Sequence, residues 1–233
     1  KGINRLNWDL RYQSTRAVES ENYNPLSQNG SGVLAMPGRY KVTFTLTAGG
    51  ETRHLHGPVE FNTIPLQNVT LPAADRSAMN AFHRQVADLT RVMRGTESYA
   101  RELYQKTTSM LQALNSTPAA PPQLEKQLRE VSLQLDEILN VKLNRRTGKP
   151  SDEENPPAPV SLNNRLSSLT WISWMTTSEP TETQKNIYNI LKEEFPPVYN
   201  QVKQIGETEI PKLEKEMEKL GAPVTPGRLP EWK

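Results

Sequence analysis

Apolar residues recur at alternating spacings of three and four along residues 72–115. The seam consists of Met79, Phe82, Val86, Leu89, Met93, Thr96, Ala100, Leu103, Thr107, Met110 and Leu114. Such spacing places an apolar stripe along one face of a single α-helix. At about 1.5 Å per residue the helix would be a rod of roughly 60 Å, which is too long for the core of a compact domain. We therefore predict an elongated bundle in which this helix is the spine.

Three later segments carry similar seams and supply the partners of the spine. The seam of the first of them consists of Leu124, Leu128, Val131, Leu135 and Ile138. The second helix is predicted over residues 122–146, and the third over 161–175 with Ser161 as its N-cap. The fourth is predicted from the capping box Thr181-Glu182-Thr183-Gln184 to residue 220. Short connections between these segments predict an antiparallel, up-and-down four-helix bundle over residues 72–222.

Prolines interrupt the fourth helical segment and are frequent in the C-terminal tail. Pro196, Pro197 and Pro211 should bend or break the helix, because each proline removes an amide donor and clashes with the preceding turn. Residues 223–233 are proline-rich and are predicted to form an extended tail on the surface.

Residues 1–66 show the two-residue period of β-strands instead. Tyr40, Val42, Phe44 and Leu46 alternate with lysine and threonine, and the Gly49-Gly50 pair beyond them predicts a hairpin turn. We predict a small β-sandwich here, joined to the bundle by a linker at 67–71. The predicted fold class is thus α+β, in two parts.

Composition narrows the function classes. Lysine and arginine number 28 against 26 acidic residues, a balance that favours neither nucleic acid nor an anionic membrane as partner. The absence of cysteine excludes disulfides, thiolate zinc sites and cysteine nucleophiles. No apolar run approaches the roughly 20 residues of a membrane span. In place of a signal peptide the chain opens on Lys1-Gly2-Ile3-Asn4, which is close to strand-like sequence. We therefore expect a cut end, either of a mature fragment or of a piece of a longer protein.

Two aromatic clusters are candidates for a binding surface. The first consists of Trp8, Asp9, Arg11 and Tyr12, which form either a sugar-binding edge or a packed strand with an Asp9–Arg11 ion pair. The second consists of Trp171 and Trp174, with Tyr188 and Tyr199 on the next helix. These rings could stack on sugars, but filling one end of the bundle is the favoured interpretation.

The histidines and a basic cluster have simpler interpretations. His54 and His56 are two residues apart on a strand, so they should share one face, and a third ligand would make a metal site. No residue in a recognisable spacing completes that set, and His83 belongs to the spine helix, so solvent-facing histidines are expected. The basic residues Lys142, Arg145, Arg146 and Lys149 complement a helix C-terminus or, alternatively, bind phosphate.

No motif for catalysis is present. The chain lacks a nucleophile elbow, a phosphate-binding loop, the zinc protease pattern H-E-x-x-H and a dinucleotide fingerprint. We therefore predict no catalytic, cofactor-binding or metal-binding residues. Three glycosylation triplets begin at Asn29, Asn68 and Asn115, and they have no meaning if the source is bacterial.

Residues 2–12 resemble the segment G-x-N-R-x-x-W-D-L-R-Y from the C-terminal region of large bacterial proteins with sortilin-like, BNR-repeat β-propellers. Those proteins are often described as glycosyl hydrolases. Further segments resemble the family in order along the chain: 36–42, 164–169, 180–184, 210–213 and 221–223. The chain departs from the family pattern at residues 62–66, where D-P-R is usual, and at Glu214, where asparagine is usual.

This resemblance implies a fibronectin- or immunoglobulin-like β-domain and a helical bundle, both following a propeller that carries any catalytic residues. It also implies a bacterial protein that is secreted, periplasmic or displayed on the cell surface. Our leading hypothesis is a non-catalytic accessory module with a structural, carbohydrate-binding or protein-binding role, whose first partner is the propeller. The alternatives are a stand-alone interaction scaffold or dimerisation bundle and, third, a glycosidase whose acids the sequence does not place.

Overall fold

The computed structural model describes residues 5–17, 32–145 and 157–230. Two strands, β1 (Gly38–Ala48) and β2 (Glu51–Thr63), form an antiparallel sheet. The helices are α1 (Arg76–Asn115), α2 (Pro122–Glu137), α3 (Leu162–Met175), α4 (Glu182–Gln204) and α5 (Ile210–Lys219). Two π-helical segments extend this set: Ile138–Leu143 follows α2, and Ile205–Glu209 joins α4 to α5. No helix in the described part of the chain is long and apolar enough to cross a membrane.

The prediction of a β-sandwich over residues 1–66 is wrong. In the described ranges the sheet has two strands, and the other β pairing is a single bridge between Arg11 and Leu34. A sandwich needs a second sheet against its apolar face. Here Trp8 packs edge-on against Tyr40 and Phe61 instead, which covers only one end of the hairpin.

The hairpin turn forms at its glycines as predicted. Gly49 and Gly50 have φ values of 61° and 83°, the left-handed conformation that a two-residue turn of type I′ requires. Thr47 and Thr52 face each other beside the turn, with their hydroxyl oxygens 2.8 Å apart. Farther along, the pairing shifts between Val42 and Thr45, so the strands carry β-bulge irregularities.

The spine helix is present and its seam is buried. The predicted seam residues are buried along α1, except that Phe82 and Leu89 are half-buried. The helix begins at Arg76 rather than at Pro72, because Asp75 is its N-cap. Asp75 Oδ1 accepts hydrogen bonds from the amides of Ser77 (2.8 Å) and Ala78 (2.9 Å).

The prediction of an antiparallel four-helix bundle is also wrong. The second helix is α-helical only to Glu137, and the fourth segment divides into α4, a π-helical segment and α5. The third helix has 14 residues against 40 in α1. At about 1.5 Å per residue, α3 can cover only part of the length of α1. The molecule is therefore helical with an added hairpin, not an α+β fold of sandwich and bundle.

Of the three prolines expected to bend or break the fourth helix, only Pro211 lies where the α-helical pattern changes. Helix α4 continues through Pro196 and Pro197 to Gln204. The α-helical pattern changes only before Pro211, where the amide of Ile210 donates to the carbonyl of Ile205, five residues back. Proline lacks an amide donor and clashes with the carbonyl four residues earlier in a regular α-helix. A wider π turn before Pro211 accommodates both constraints.

The helix starts at Ser161 and Thr181 are confirmed. Ser161 is the N-cap of α3, and its side chain accepts from the amide of Asn164. At α4, Thr181 Oγ1 accepts from the amide of Gln184 (3.3 Å), while Gln184 Oε1 accepts from the amide of Thr181 (2.7 Å). This is the reciprocal capping box that the sequence predicted.

The apolar core runs along α1 and receives side chains from the other helices. Leucines dominate the contributions of α2 and α3, and mixed apolar residues those of α4 and α5. The tail also packs: Arg228 Nη1 donates to the carbonyl of Glu214 (3.0 Å) and lies 3.4 Å from the Glu218 carboxylate. The predicted surface tail is thus joined to α5 as far as it is described.

Candidate functional site

The N-terminal aromatic cluster does not form the predicted strand with an Asp9–Arg11 ion pair. Trp8 is 43% exposed, and its indole Nε1 donates to the carbonyl of Arg11 (2.8 Å). Asp9 Oδ1 accepts from the backbone amide of Arg11 (3.0 Å). The expected Asp9–Arg11 ion pair is therefore replaced by a local turn contact, and the Arg11 guanidinium points elsewhere.

Arg11 connects the N-terminal segment to α3. Its Nη1 donates to the carbonyls of Gly32 (3.1 Å) and Trp174 (3.2 Å), and its Nη2 also reaches Trp174 O (3.3 Å). Trp174 lies in the last turn of α3, where helix carbonyls lack an intrahelical donor. A cation there also complements the helix dipole. Arg11 thus caps α3 across the fold, which is a positioning role that engages both Nη1 and Nη2.

Tyr12 is tied to the spine helix by a residue that the sequence did not single out. Arg84 Nη2 donates to the Tyr12 hydroxyl (3.1 Å), and the guanidinium carbon lies 5.1 Å from the ring centroid. Burial raises the pKa of Tyr12, but hydrogen bonds with Tyr40 and Arg84 and the Arg84 charge outweigh burial, so its pKa is lowered. The cluster therefore fastens the N-terminal segment to α1.

The aromatic residues of α3 and α4 divide between core and surface. Trp174 and Tyr188 pack against the core, and Tyr188 meets Phe82 at 5.6 Å between ring centroids. The prediction that these aromatic residues fill the core is confirmed for Trp174 and Tyr188. Trp171 is 71% exposed and Tyr199 is 40% exposed, so the prediction of a core position is wrong for Trp171 and Tyr199.

The structure separates the histidines. His56 pairs with Phe44 and His54 with Thr45, and consecutive residues of β1 point to opposite faces of the sheet. The bulge therefore places the two imidazoles on opposite faces rather than on one. Both are exposed as expected, and the described residues contain no group of three metal-ligating side chains.

His83 lies in the core, unlike the other two histidines. It is 3% exposed, and in the described ranges its Nε2 has no hydrogen-bond partner. Burial lowers the pKa of His83 from its ordinary value of 6.5, because the charged imidazolium would lose its hydration. A spine-helix position was predicted, but nothing in the sequence showed that this face is closed.

We expect acidification to weaken the fold through His83. The pKa of His83 is lower in the folded chain than in the unfolded chain. The protein therefore has its full stability with respect to His83 above pH 6.5, and the free energy of unfolding falls as the pH drops toward the folded pKa. Each pH unit in that window costs up to about 1.4 kcal/mol. Urea melts at pH 7.5 and 5.5 should show this loss in the native chain and less of it in His83→Gln. The exposed His54→Gln is the control, and equal losses in both variants would contradict the prediction.

Lys142 of the predicted basic cluster lines a groove of about 450 Å³ between the end of the second helical segment, residues 158–162 and α4. Lys142 Nζ donates to Gln201 Oε1 (3.1 Å) and lies 3.6 Å from the Glu137 carboxylate. Arg145 lines the same groove. Arg146 and Lys149, like the triplet at Asn29, lie outside the described residues. Lys142 is thus neutralised locally, which weakens the phosphate-binding alternative.

A buried carboxylate that the sequence did not reveal joins three segments. Glu97 on α1 is 9% exposed, and its Oε1 accepts from Arg101 (2.6 Å) and Asn144 (3.2 Å). Its Oε2 accepts from Asn163 of α3 (2.9 Å), and Asn163 also donates to Asn144 (2.9 Å). Burial raises the pKa of Glu97, but these donors and the Arg101 charge outweigh it, so the pKa is lowered and the carboxylate stays ionised.

Tyr99 divides a second groove, which runs between α1 and the α4–π–α5 segment. On one side a space of about 340 Å³ is lined by residues that include Gly95, Tyr199 and Lys203. On the other side a space of about 470 Å³ reaches Gly206 and the tail. The Tyr99 ring lies directly over Gly206, so closely that a Cβ at position 206 would overlap its hydroxyl. In the sequence, the indication of this groove is a glycine within two of the predicted helices, Gly95 in the first and Gly206 in the fourth.

Replacing Gly95 with alanine is expected to stabilise the protein by about 0.5–1 kcal/mol, because alanine restricts the unfolded chain and favours helix. A Cβ at position 95 meets no atom within 4 Å. Gly206→Ala should not show this gain, since its Cβ must displace the Tyr99 ring. Thermal unfolding of both variants compares the two positions, and a lower midpoint for Gly95→Ala would contradict the prediction.

Comparison of the chain with protein-family models, curated proteins and solved structures found no match.

Proposed function

We propose that the chain is a non-catalytic interaction module whose hairpin docks on a β-sheet of a partner domain. The observation that carries this proposal is the uncovered apolar side of the hairpin. Strand pairing and alternation place Phe44, Leu46 and Val59 on one face, and these side chains are 37–42% exposed. Leu55, at the register shift of the neighbouring strand, is 54% exposed. A two-stranded hairpin is at best marginally stable alone in water, so a persistent exposed hairpin benefits from a partner.

The two edges of the hairpin differ in their ability to add a strand. On β2, Pro58 follows Gly57, whose φ is +101°, and proline has no amide to donate to a neighbouring strand. On β1 no proline interrupts the strand, and in the described part of the chain it pairs with β2 alone. A partner strand should therefore add at β1, with backbone hydrogen bonds for affinity and the apolar face for specificity.

The resemblance to propeller proteins supports a particular partner. A β-propeller consists of sheets, so a propeller in the same or an associated protein has the kind of surface that an exposed strand and apolar face would fit. We propose accordingly an accessory role beside a propeller, in an exported bacterial protein that binds or acts on carbohydrate. The helices would hold the hairpin through α1 and the contacts of Arg11 and Tyr12.

Amide hydrogen exchange tests this docking. Because Ala48 and Glu51 flank a two-residue turn, they should form the narrow hydrogen-bonded pair, which leaves the amides of Thr45 and Thr47 pointing outward. These amides should exchange fast in the 233-residue chain alone and slowly in the native protein purified from its source. Equal exchange in both preparations would contradict the proposal.

A pair of matched variants addresses the apolar face. Leu46→Lys should disrupt docking in the native protein, whereas Thr45→Lys on the opposite face should leave the face intact. Sedimentation of the isolated chain separates the alternative: a dimer that Leu46→Lys dissociates would support the dimerisation scaffold instead of the accessory role.

A further inference from the structure

Besides the π-helical segment Ile138–Leu143 and the prolines inside α4, three local departures from ordinary α-helix coincide at one groove. Gly95 and Gly206 are the glycines inside the described helices, and both line the groove that Tyr99 divides. Glycine in a helix interior is destabilising. The π-helical segment Ile205–Glu209 lies at the same place. Such π turns occur frequently at functional sites, and local departures that coincide are expected where a site needs them.

The two glycines act on the space around Tyr99 in different ways. Gly95 leaves room for a ligand, because no atom lies within 4 Å of the position of its missing Cβ. Gly206 allows Tyr99 to lie across the π segment, as any larger residue would overlap the ring. The spaces on the two sides of Tyr99, about 340 and 470 Å³, have the size of small-molecule sites.

The lining of the groove sets the chemistry of the ligand. Tyr99 and Tyr199 both line the smaller space, so two partly exposed rings belong to one groove. Two cations, Arg91 and Lys203, and one acid, Glu207, line this space, and Lys203 lies 3.9 Å from the Glu207 carboxylate. In the larger space Lys106 is paired with Glu214 at 2.9 Å, and Glu102 is a further acid. A groove with such balanced charges has no excess of cations for a phosphate, and it is too polar for a lipid chain.

We propose that this groove binds a neutral polyhydroxylated ring, such as one hexose unit of an oligosaccharide, against Tyr99 and Tyr199. Flat tyrosine rings offer the apolar C–H face of a sugar a large contact area. The charged side chains around the two tyrosines donate hydrogen bonds to the hydroxyl groups of the sugar and accept hydrogen bonds from them. This site is separate from the hairpin, and it stands whether or not the hairpin docks on a partner.

Calorimetric titration of the 233-residue chain tests the proposal. The probes are neutral hexasaccharides of glucose, mannose and xylose, with oligogalacturonate as the anionic comparison. At least one neutral probe should bind, and oligogalacturonate should not. Heat exchange with none of the neutral probes, or with oligogalacturonate alone, would overturn the proposal.

Variants then assign the binding to the groove. Tyr199→Ala should weaken binding by roughly tenfold, through loss of the stacked ring. Tyr104→Ala is the matched control, because Tyr104 has a similar exposure (36% against 40%) and lines neither space. Equal affinities of the two variants would overturn the assignment.

Gly95→Leu gives a second route that does not depend on the folding of Tyr199→Ala. Leucine favours helix more than glycine does, and its side chain would fill the open space beside Tyr99. Circular dichroism should show a helix content equal to that of the native chain, while binding of the neutral probe should be lost. Retained affinity in this variant would place the ligand elsewhere and contradict the proposal.

Discussion

Replacing Leu135 with alanine is expected to lower the free energy of unfolding by about 2–5 kcal/mol. Leu135 on α2 is 0% exposed and belongs to the core cluster that lines α1. Removing its branched end loses the transfer free energy of the buried atoms and leaves a cavity that the packed helices fill only in part. Urea unfolding followed by circular dichroism in the far ultraviolet measures the effect.

Leu133 provides the matched control on the same helix. It is 69% exposed, so Leu133→Ala removes the same atoms from a site that water already reaches. We expect its stability to change by no more than about 0.5 kcal/mol. If the two variants melted at the same urea concentration, the assignment of the buried face of α2 would be incorrect.

The second large effect is expected at Glu97. Glu97→Ala should cost about 3 kcal/mol, because it removes the acceptor of Asn144 and Asn163 while those amides stay inside the protein. Arg101 is more than half exposed and can return to water, so its loss of a partner contributes less. Glu102→Ala, at an exposed position of the same helix, should have little effect on stability.

The same carboxylate gives the protein a sensitivity to strong acid. The folded pKa of Glu97 lies below its ordinary value of 4.5, so its stabilisation is present above pH 4.5 and is lost as the pH falls through the folded pKa. The difference in stability between the native chain and Glu97→Ala should therefore shrink from pH 6 to pH 3. A constant difference over this range would show that packing rather than ionisation accounts for the role of Glu97.

Leu135 and Glu97 differ in how far the sequence predicts their burial. Leu135 was a member of a predicted seam, and its burial arises from a spacing of three and four that any α-helix turns into one face. Glu97 directly follows the seam residue Thr96, where the pattern predicts a flank. Its burial arises because Asn144 and Asn163 arrive from segments 47 and 66 residues away. A local sequence pattern does not indicate contacts between segments that are so far apart in the chain.

The β region shows the same division. Alternation along β1 and the Gly49-Gly50 turn correctly predicted one hairpin, since both depend on neighbouring residues. The sandwich was an extrapolation, because alternation shows that a strand has an apolar face and not what covers it. The bulge likewise separates His54 from His56, although their spacing alone predicts a shared face.

Neighbouring residues are sufficient to specify the local elements of this protein: the long seam of α1, the caps at Ser161 and Thr181, and the tight turn of the hairpin. Each depends on backbone and side-chain contacts between residues that are close together in the sequence. Packing between distant segments places Arg11 against Trp174, 163 residues away, and lays Tyr99 over Gly206. Those contacts depend on how whole helices pack, which residue order specifies only through the complete fold.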